Sequence, residues 1–142
     1  MAILYLDTSA LVKLYVEEEG SNLVRSSVAA AEESLTSIVT YAEARAALAR
    51  ARRERVLTPA ALRGAVDRLE GDWLSLSLVH ASERLVRRAG PLAERYGLRG
   101  FDAIHLASAL EATRGIEACA FGCFDDRLMT AAQKEGFRPL RG

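Results

Sequence analysis

Four carboxylates carry the chemistry that this chain of 142 residues could perform: Asp7, Glu43, Asp102 and Asp125. Asp7 closes the apolar run Ala2 to Leu6, Asp102 and Asp125 each open a helix-like segment, and Glu43 falls in the first turns of another. Gaps of 36, 59 and 23 residues separate them, so only tertiary folding can bring them together. Carboxylates without His or Cys at ligand spacing suit a hard cation, Mg²⁺ or Mn²⁺, and disfavour zinc. The chemistry that follows is cleavage of phosphate esters. A plainer use of the same positions is helix capping, because Asp is among the best N-cap residues. Thr40-Tyr41-Ala42-Glu43 even fits a capping box, with Glu43 reaching back to the Thr40 amide.

Other polar residues near these acids carry less. Ser9 shares the end of the first strand with Asp7 if the turn is tight, and its hydroxyl could then meet a phosphate or a water on the metal. His105 lies one helical turn after Asp102 and reads as a packed residue of an amphipathic helix rather than a general base. Arg50, Arg52, Arg53 and Arg55 end a helix where cations suit the dipole, with phosphate tracking as a second use. Cys119 and Cys123 in one strand would hold their α-carbons roughly 13 Å apart, too far to pair. They are assigned no chemistry.

The elements that must position the acids follow from periodicity. Strand 2–6 leads into helix 8–16; helix 21–32, strand 35–38 and helix 39–54 come next. Thr58 caps and Pro59 starts a helix reaching Trp73, followed by strand 74–79. Residues 81–96 form a helix that Pro91 should bend or split, then come helix 101–114, strand 116–121 and helix 125–135. FRPL at 137–140 supplies a final edge strand. Strands alternating with helices imply parallel pairing with both faces covered. The expected fold is a three-layer α/β/α sandwich of about five strands, mostly parallel, in one domain spanning 1–142.

Half of the residues are hydrophobic and 27% are charged, which excludes a disordered chain. No apolar run approaches the roughly 20 residues of a membrane helix. The N-terminus does not read as a signal peptide, so a cytoplasmic location is expected. Formal net charge is zero, with 19 basic and 19 acidic side chains, which argues against a nucleic-acid partner. Acids that hold a metal change that balance: without the four above, 15 acids face 19 bases.

The residues around the acids resemble a known family. Asp7-Thr8-Ser9-Ala10-Leu11-Val12-Lys13-Leu14-Tyr15 is similar to the opening of the PIN-domain nucleases, in particular the small VapC-type toxins of toxin–antitoxin pairs. Tyr41 to Leu48 resembles their second motif, Phe101 to Leu110 the third and most specific, and Phe124-Asp125-Asp126-Arg127-Leu128 the fourth. The likeness runs in order over nearly the whole chain. It implies a PIN-like fold and a Mg²⁺- or Mn²⁺-dependent endoribonuclease that hydrolyses RNA by metal-activated water, with a cognate antitoxin and a homodimer. By position, Asp7 and Asp102 would be direct metal ligands. Glu43 would be a ligand or orient a water on the metal, and Asp125 would hold a second metal or support the first. Cys123 stands where the family often has Ser or Thr; Asp126 adjoins Asp125 and could take its role, though the F-D-x-R-L alignment favours Asp125. Two alternatives share the fold: a PIN ribonuclease of RNA maturation without an antitoxin, and a noncatalytic RNA-binding module. A phosphatase with a nucleophilic aspartate would want D-x-D, and Ser9 occupies the second acidic position.

Overall fold

The computed structural model describes residues 3–116 and 118–141. Its elements are β1 (Ile3–Leu6), α1 (Thr8–Val12), α2 (Ser21–Ala30), β2 (Glu33–Ser37), α3 (Thr40–Arg53), α4 (Pro59–Trp73), β3 (Ser77–Val79), α5 (Glu83–Tyr96), α6 (Gly100–Ala112), β4 (Ala120–Gly122) and α7 (Asp126–Lys134). The strands pair in parallel in the order β3-β2-β1-β4. The chain steps outward from β1 to β2 and β3, then crosses back to place β4 on the other side of β1. A reversal of this kind opens a crevice beyond the carboxyl ends of the strands that flank it.

β1 is buried along its length, and the strand's two-residue period divides its side chains between two cores. Ile3 and Tyr5 pack with Leu85, Leu106, Phe121 and Leu128 under α5, α6 and α7. Leu4 and Leu6 pack with Leu11, Val24, Leu48 and Leu69 under α1 to α4. Helices therefore cover both faces, as the alternation of elements requires. Side-chain caps start α1 at Asp7, α4 at Thr58, α5 at Ser82 and α7 at Asp125.

Some expectations are corrected. Four strands, not about five, form the sheet among the described residues. Arg138 makes only an isolated parallel bridge to Ala120, and Pro139 beside it has no N–H with which to extend the pairing. α1 stops at Val12 because the bonds of Lys13, Leu14 and Tyr15 tighten to the carbonyls three residues back. β3 starts at Ser77, since Leu74 is 88% exposed and belongs to the turn after α4. β4 starts at Ala120, not 116, and residue 117 lies outside the described residues, as does residue 2. α5 passes through Pro91 unbroken. Pro91 and Arg87 are both exposed, so water can take the carbonyl that the missing N–H leaves free. Cys119 and Cys123 flank β4 as free thiols.

Gly122 marks a close approach: a Cβ there would stand 2.8 Å from Leu6 Cδ2, in a fully buried side chain. Gly122→Val should overpack this junction and cost about 1–3 kcal/mol. Urea unfolding should show a lower midpoint with an unchanged slope.

Candidate active site

The carboxyl ends of β1 and β4 are tied together where Asp7 N–H donates to Gly122 O at 3.0 Å. Immediately there, the buried Asp7 side chain accepts from Ser9 Oγ at 2.7 Å and from Ala10 N–H at 2.9 Å, both on Oδ1. Burial pushes its carboxyl above the usual range, and the bonds from Ser9 and Ala10 partly restrain it. Ser9 Oγ also accepts from Phe124 N–H at 3.1 Å and so links the loop after β1 to the loop after β4.

Glu43 reaches this end of the sheet from α3. A buried pair sets the start of that helix: Thr36 Oγ1 donates to Leu6 O at 2.7 Å and lies 2.8 Å from Thr40 Oγ1. With Thr40 so engaged, α3 has no side-chain cap, and the capping box does not form. Glu43 Oε1 instead accepts from Thr8 Oγ1 at 2.6 Å and meets His105 Nε2 at 2.8 Å. Burial raises the Glu43 carboxyl, but the hydrogen bonds from His105 and Thr8 outweigh it and leave the group below its ordinary value.

Asp102 stands in the first turn of α6 and has no capping bond; Arg99 holds the N-cap position. Burial raises its affinity for a proton, and the charges of Asp125, Asp7 and Glu43 raise it further. Asp102 thus feels the charges of the other three sequence-chosen acids. Asp125 caps α7 through Leu128 N–H at 2.9 Å and stays exposed. It shares with Asp102 a cavity of about 300 Å³ walled by Gly97, Leu98, Arg99 and Arg127. Asp126 faces a different hollow with Arg95 and Tyr96. Capping and convergence therefore coexist at Asp7 and Asp125, while Asp102 and Glu43 do not cap.

The sulfur of Cys123 takes the place expected for a hydroxyl. It accepts from Asp125 N–H at 3.2 Å and lies against the Asp7 carboxylate; burial pushes its thiol pKa up, and Asp7 adds to the rise. The arginines at the end of α3 do not line this cavity, and Arg50 pairs with Glu54 at 3.0 Å. Sequence reading missed Thr8 and His105 as anchors of Glu43. The only signal was a polar residue on the inner side of α6, which is equally the mark of a packed histidine. Among the described residues, no three His, Cys, Asp or Glu side chains form a ready-made metal cage.

The PIN domain family matches residues 4–130, a span that holds all four acids. The chain belongs to the PIN domain family. Its PIN relatives include Ribonuclease VapC45 and Ribonuclease VapC49 of two Mycobacterium tuberculosis strains, each 38% identical over 138 residues and spanning 97% of this chain and 94% of the relative. Ribonuclease VapC46 is 33% identical over 137 residues, spanning 96% of this chain and 95% of the relative. Among solved structures, Mycobacterium tuberculosis VapC20, titled a sarcin-ricin loop cleaving toxin, superposes with a TM-score of 0.67 at 18% identity over 98% of this chain and 99% of that one. VapBC2 from Rickettsia felis, bound to a promoter DNA fragment, gives 0.66 at 12% identity over 98% and 99%. These two establish the PIN fold.

The raised proton affinity of Asp102 makes it bind its proton more tightly folded than unfolded. Its contribution to stability is present below the ordinary carboxylate pKa and is lost as pH rises through the raised folded value. Asp102→Asn should therefore unfold at a higher temperature than the metal-free wild type at pH 7, with the gain vanishing at acid pH. Calorimetry across pH checks the sign; a loss of stability at pH 7 would contradict it.

Proposed function

We propose that this chain is a divalent-metal-dependent endoribonuclease and the toxin of a VapBC-type toxin–antitoxin pair. The observation that carries the proposal is that Asp7 ends β1 with Glu43 bonded to the neighbouring Thr8, Ser9 ties that end to the loop after β4, and Asp102 and Asp125 share one cavity, with Asp102 feeling the charge of the other three acids. The ribonuclease names of its relatives support the same reading.

The donor set fits Mg²⁺ or Mn²⁺. All four groups offer hard oxygen, and their mutual repulsion is the deficit a cation would relieve. Mg²⁺ keeps several waters and uses one or two carboxylates, so a complete side-chain cage is not required. Asp7 and Asp102 would hold the ion directly, Glu43 would bind it or one of its waters, and Asp125 would support it or hold a second ion. Once bound, it would supply positive charge for the approaching phosphate and activation of water for its hydrolysis.

The chain's own residues do the rest. Ser9 and Ala10 hold the Asp7 carboxylate by one oxygen, so Ser9 orients Asp7 and has its proton committed to that task. Arg99 and Arg127 line the cavity beside Asp102 and Asp125, where guanidinium groups would grip RNA phosphates. Both ring nitrogens of His105 are engaged and the ring is 2% exposed, which removes it as a general base toward RNA. Phe101 and Phe124 stand beside Asp102 and Asp125 in the chain and are 55% and 42% exposed. An antitoxin segment lying over the acids would bury them. A homodimer belongs to the same proposal and is read by sedimentation.

Purified protein should cleave structured RNA with Mg²⁺ or Mn²⁺, leaving 5′-phosphate and 3′-hydroxyl ends, and EDTA should stop it. A substrate with 2′-deoxyribose at the cleavage site should still be cut. Cyclic-phosphate ends, or activity that survives thorough chelation, would defeat the reading. RNA binding without cleavage by any divalent ion would favour the noncatalytic module instead.

A second test concerns the cavity wall. Arg99→Gln should weaken RNA binding and lower the slope of log affinity against log salt by about one, with little change in kcat. An unchanged slope would remove Arg99 from the phosphate path.

A further inference from the structure

His105 is 2% exposed, yet it is bonded at both ring nitrogens, and its partners belong to two different environments. Nδ1 lies 2.8 Å from the hydroxyl of Tyr5, a fully buried residue in the middle of β1. Nε2 lies 2.8 Å from Glu43 Oε1, on a side chain that is 32% exposed at the acidic crevice. The ring therefore spans from the core to the site.

The chemistry of the two partners settles where the ring proton belongs. A carboxylate only accepts hydrogen bonds, so the nitrogen 2.8 Å from Glu43 must carry hydrogen. With that hydrogen on Nε2 of the neutral ring, Nδ1 offers only a lone pair, so the hydrogen in the 2.8 Å Tyr5–Nδ1 bond is the phenol's. The Tyr5 ring is itself clamped, stacked on Phe121 with centroids 5.2 Å apart and set edge-on to the imidazole. A donor at Nδ1 and an acceptor at Nε2 are both satisfied by a single neutral form of imidazole, the one protonated at Nε2.

We propose that Tyr5 and His105 are positioning residues for Glu43: Tyr5 donates to Nδ1 and so holds His105 as the neutral Nε2–H form, which with Thr8 pins Glu43 by Oε1 alone and leaves Oε2 as the oxygen available to a cation or RNA. Thr8 Oγ1 donates to that same Oε1 at 2.6 Å, and the hydrogen bonds to this carboxylate among the described residues all fall on Oε1. Metal-ligating histidines are commonly held in one tautomer and orientation by a carboxylate behind them. Here the direction is reversed, with the histidine orienting the carboxylate and the tyrosine orienting the histidine. The value of Glu43 to the proposed nuclease rests on the reading above; the Tyr5–His105–Glu43 chain of bonds does not.

The two layers can be tested separately. Long-range ¹H–¹⁵N NMR on the metal-free protein at neutral pH reads the tautomer directly, and His80→Gln removes the other histidine from the spectrum. The expected pattern is a bare Nδ1 and a protonated Nε2, with the Nδ1 resonance shifted in Tyr5→Phe, which preserves the packed ring and removes the donor to that nitrogen. A proton on Nδ1 in the wild type, or an Nδ1 resonance unmoved by Tyr5→Phe, overturns the proposal. Mn²⁺ binding, followed by electron paramagnetic resonance, reads the consequence. His105→Leu should weaken it by about 10–100-fold, whereas His105→Gln, whose amide can still donate to Glu43, should recover most of that loss. Equal affinity of folded His105→Leu and wild type, or equal loss in Leu and Gln variants, overturns the positioning role. If His105→Leu does not fold, Tyr5→Phe decides the same question by its Mn²⁺ affinity: a several-fold loss supports the role and an unchanged affinity overturns it. Wild-type protein that binds no Mn²⁺ but shows the expected tautomer would sink the metal reading while upholding the bonded chain.

Discussion

Like charges gathered in a half-buried crevice raise the cost of ionising one another, and this repulsion governs the end of the sheet where β1 and β4 finish. Asp102 carries it most plainly, because burial and the charges of Asp125, Asp7 and Glu43 all act on it while no hydrogen-bond donor among the described residues compensates. The other acids have donors assigned to them. Asp7 has Ser9 and Ala10, Glu43 has Thr8 and His105, and Asp125 has Leu128 N–H. An isolated surface carboxylate needs none of this.

Holding such a cluster requires a frame that does not relax. β1 supplies it by being buried on both faces, with Ile3 and Tyr5 in one core and Leu4 and Leu6 in the other. Thr36 extends the frame sideways by bonding both Leu6 O and Thr40, so that the entry of α3, and hence Glu43, is set relative to the end of β1. Close packing at Gly122 against Leu6 does the same for β4. The alternating core of one short strand thereby fixes acids drawn from four separate segments.

Zero net charge is compatible with an anionic substrate once charge is considered by location. The acids concentrate at one crevice, while Arg99 and Arg127 border it and further arginines lie on exposed surfaces. Overall balance is a statement about solubility and long-range steering, whereas recognition depends on the local field. A divalent ion held by these carboxylates would make that field less repulsive to phosphate.

Much of the chain could be read directly from its residues. Long helices such as α3 and α4 are legible because their apolar spacing and the Thr58-Pro59 start are local properties. The ends of short elements are not: α1 stops early and β3 starts late according to which residues the core accepts. Residue type and motif order alone identified Asp7, Glu43, Asp102 and Asp125, and with them the PIN domain family. Whether Thr40 caps a helix or bonds Thr36, whether Asp125 or Asp126 faces Asp102, and that Glu43 is held through Thr8 and His105 were tertiary decisions. Each depends on contacts between residues distant in sequence, and a hydrogen bond between Glu43 and His105 leaves no periodic trace in either helix.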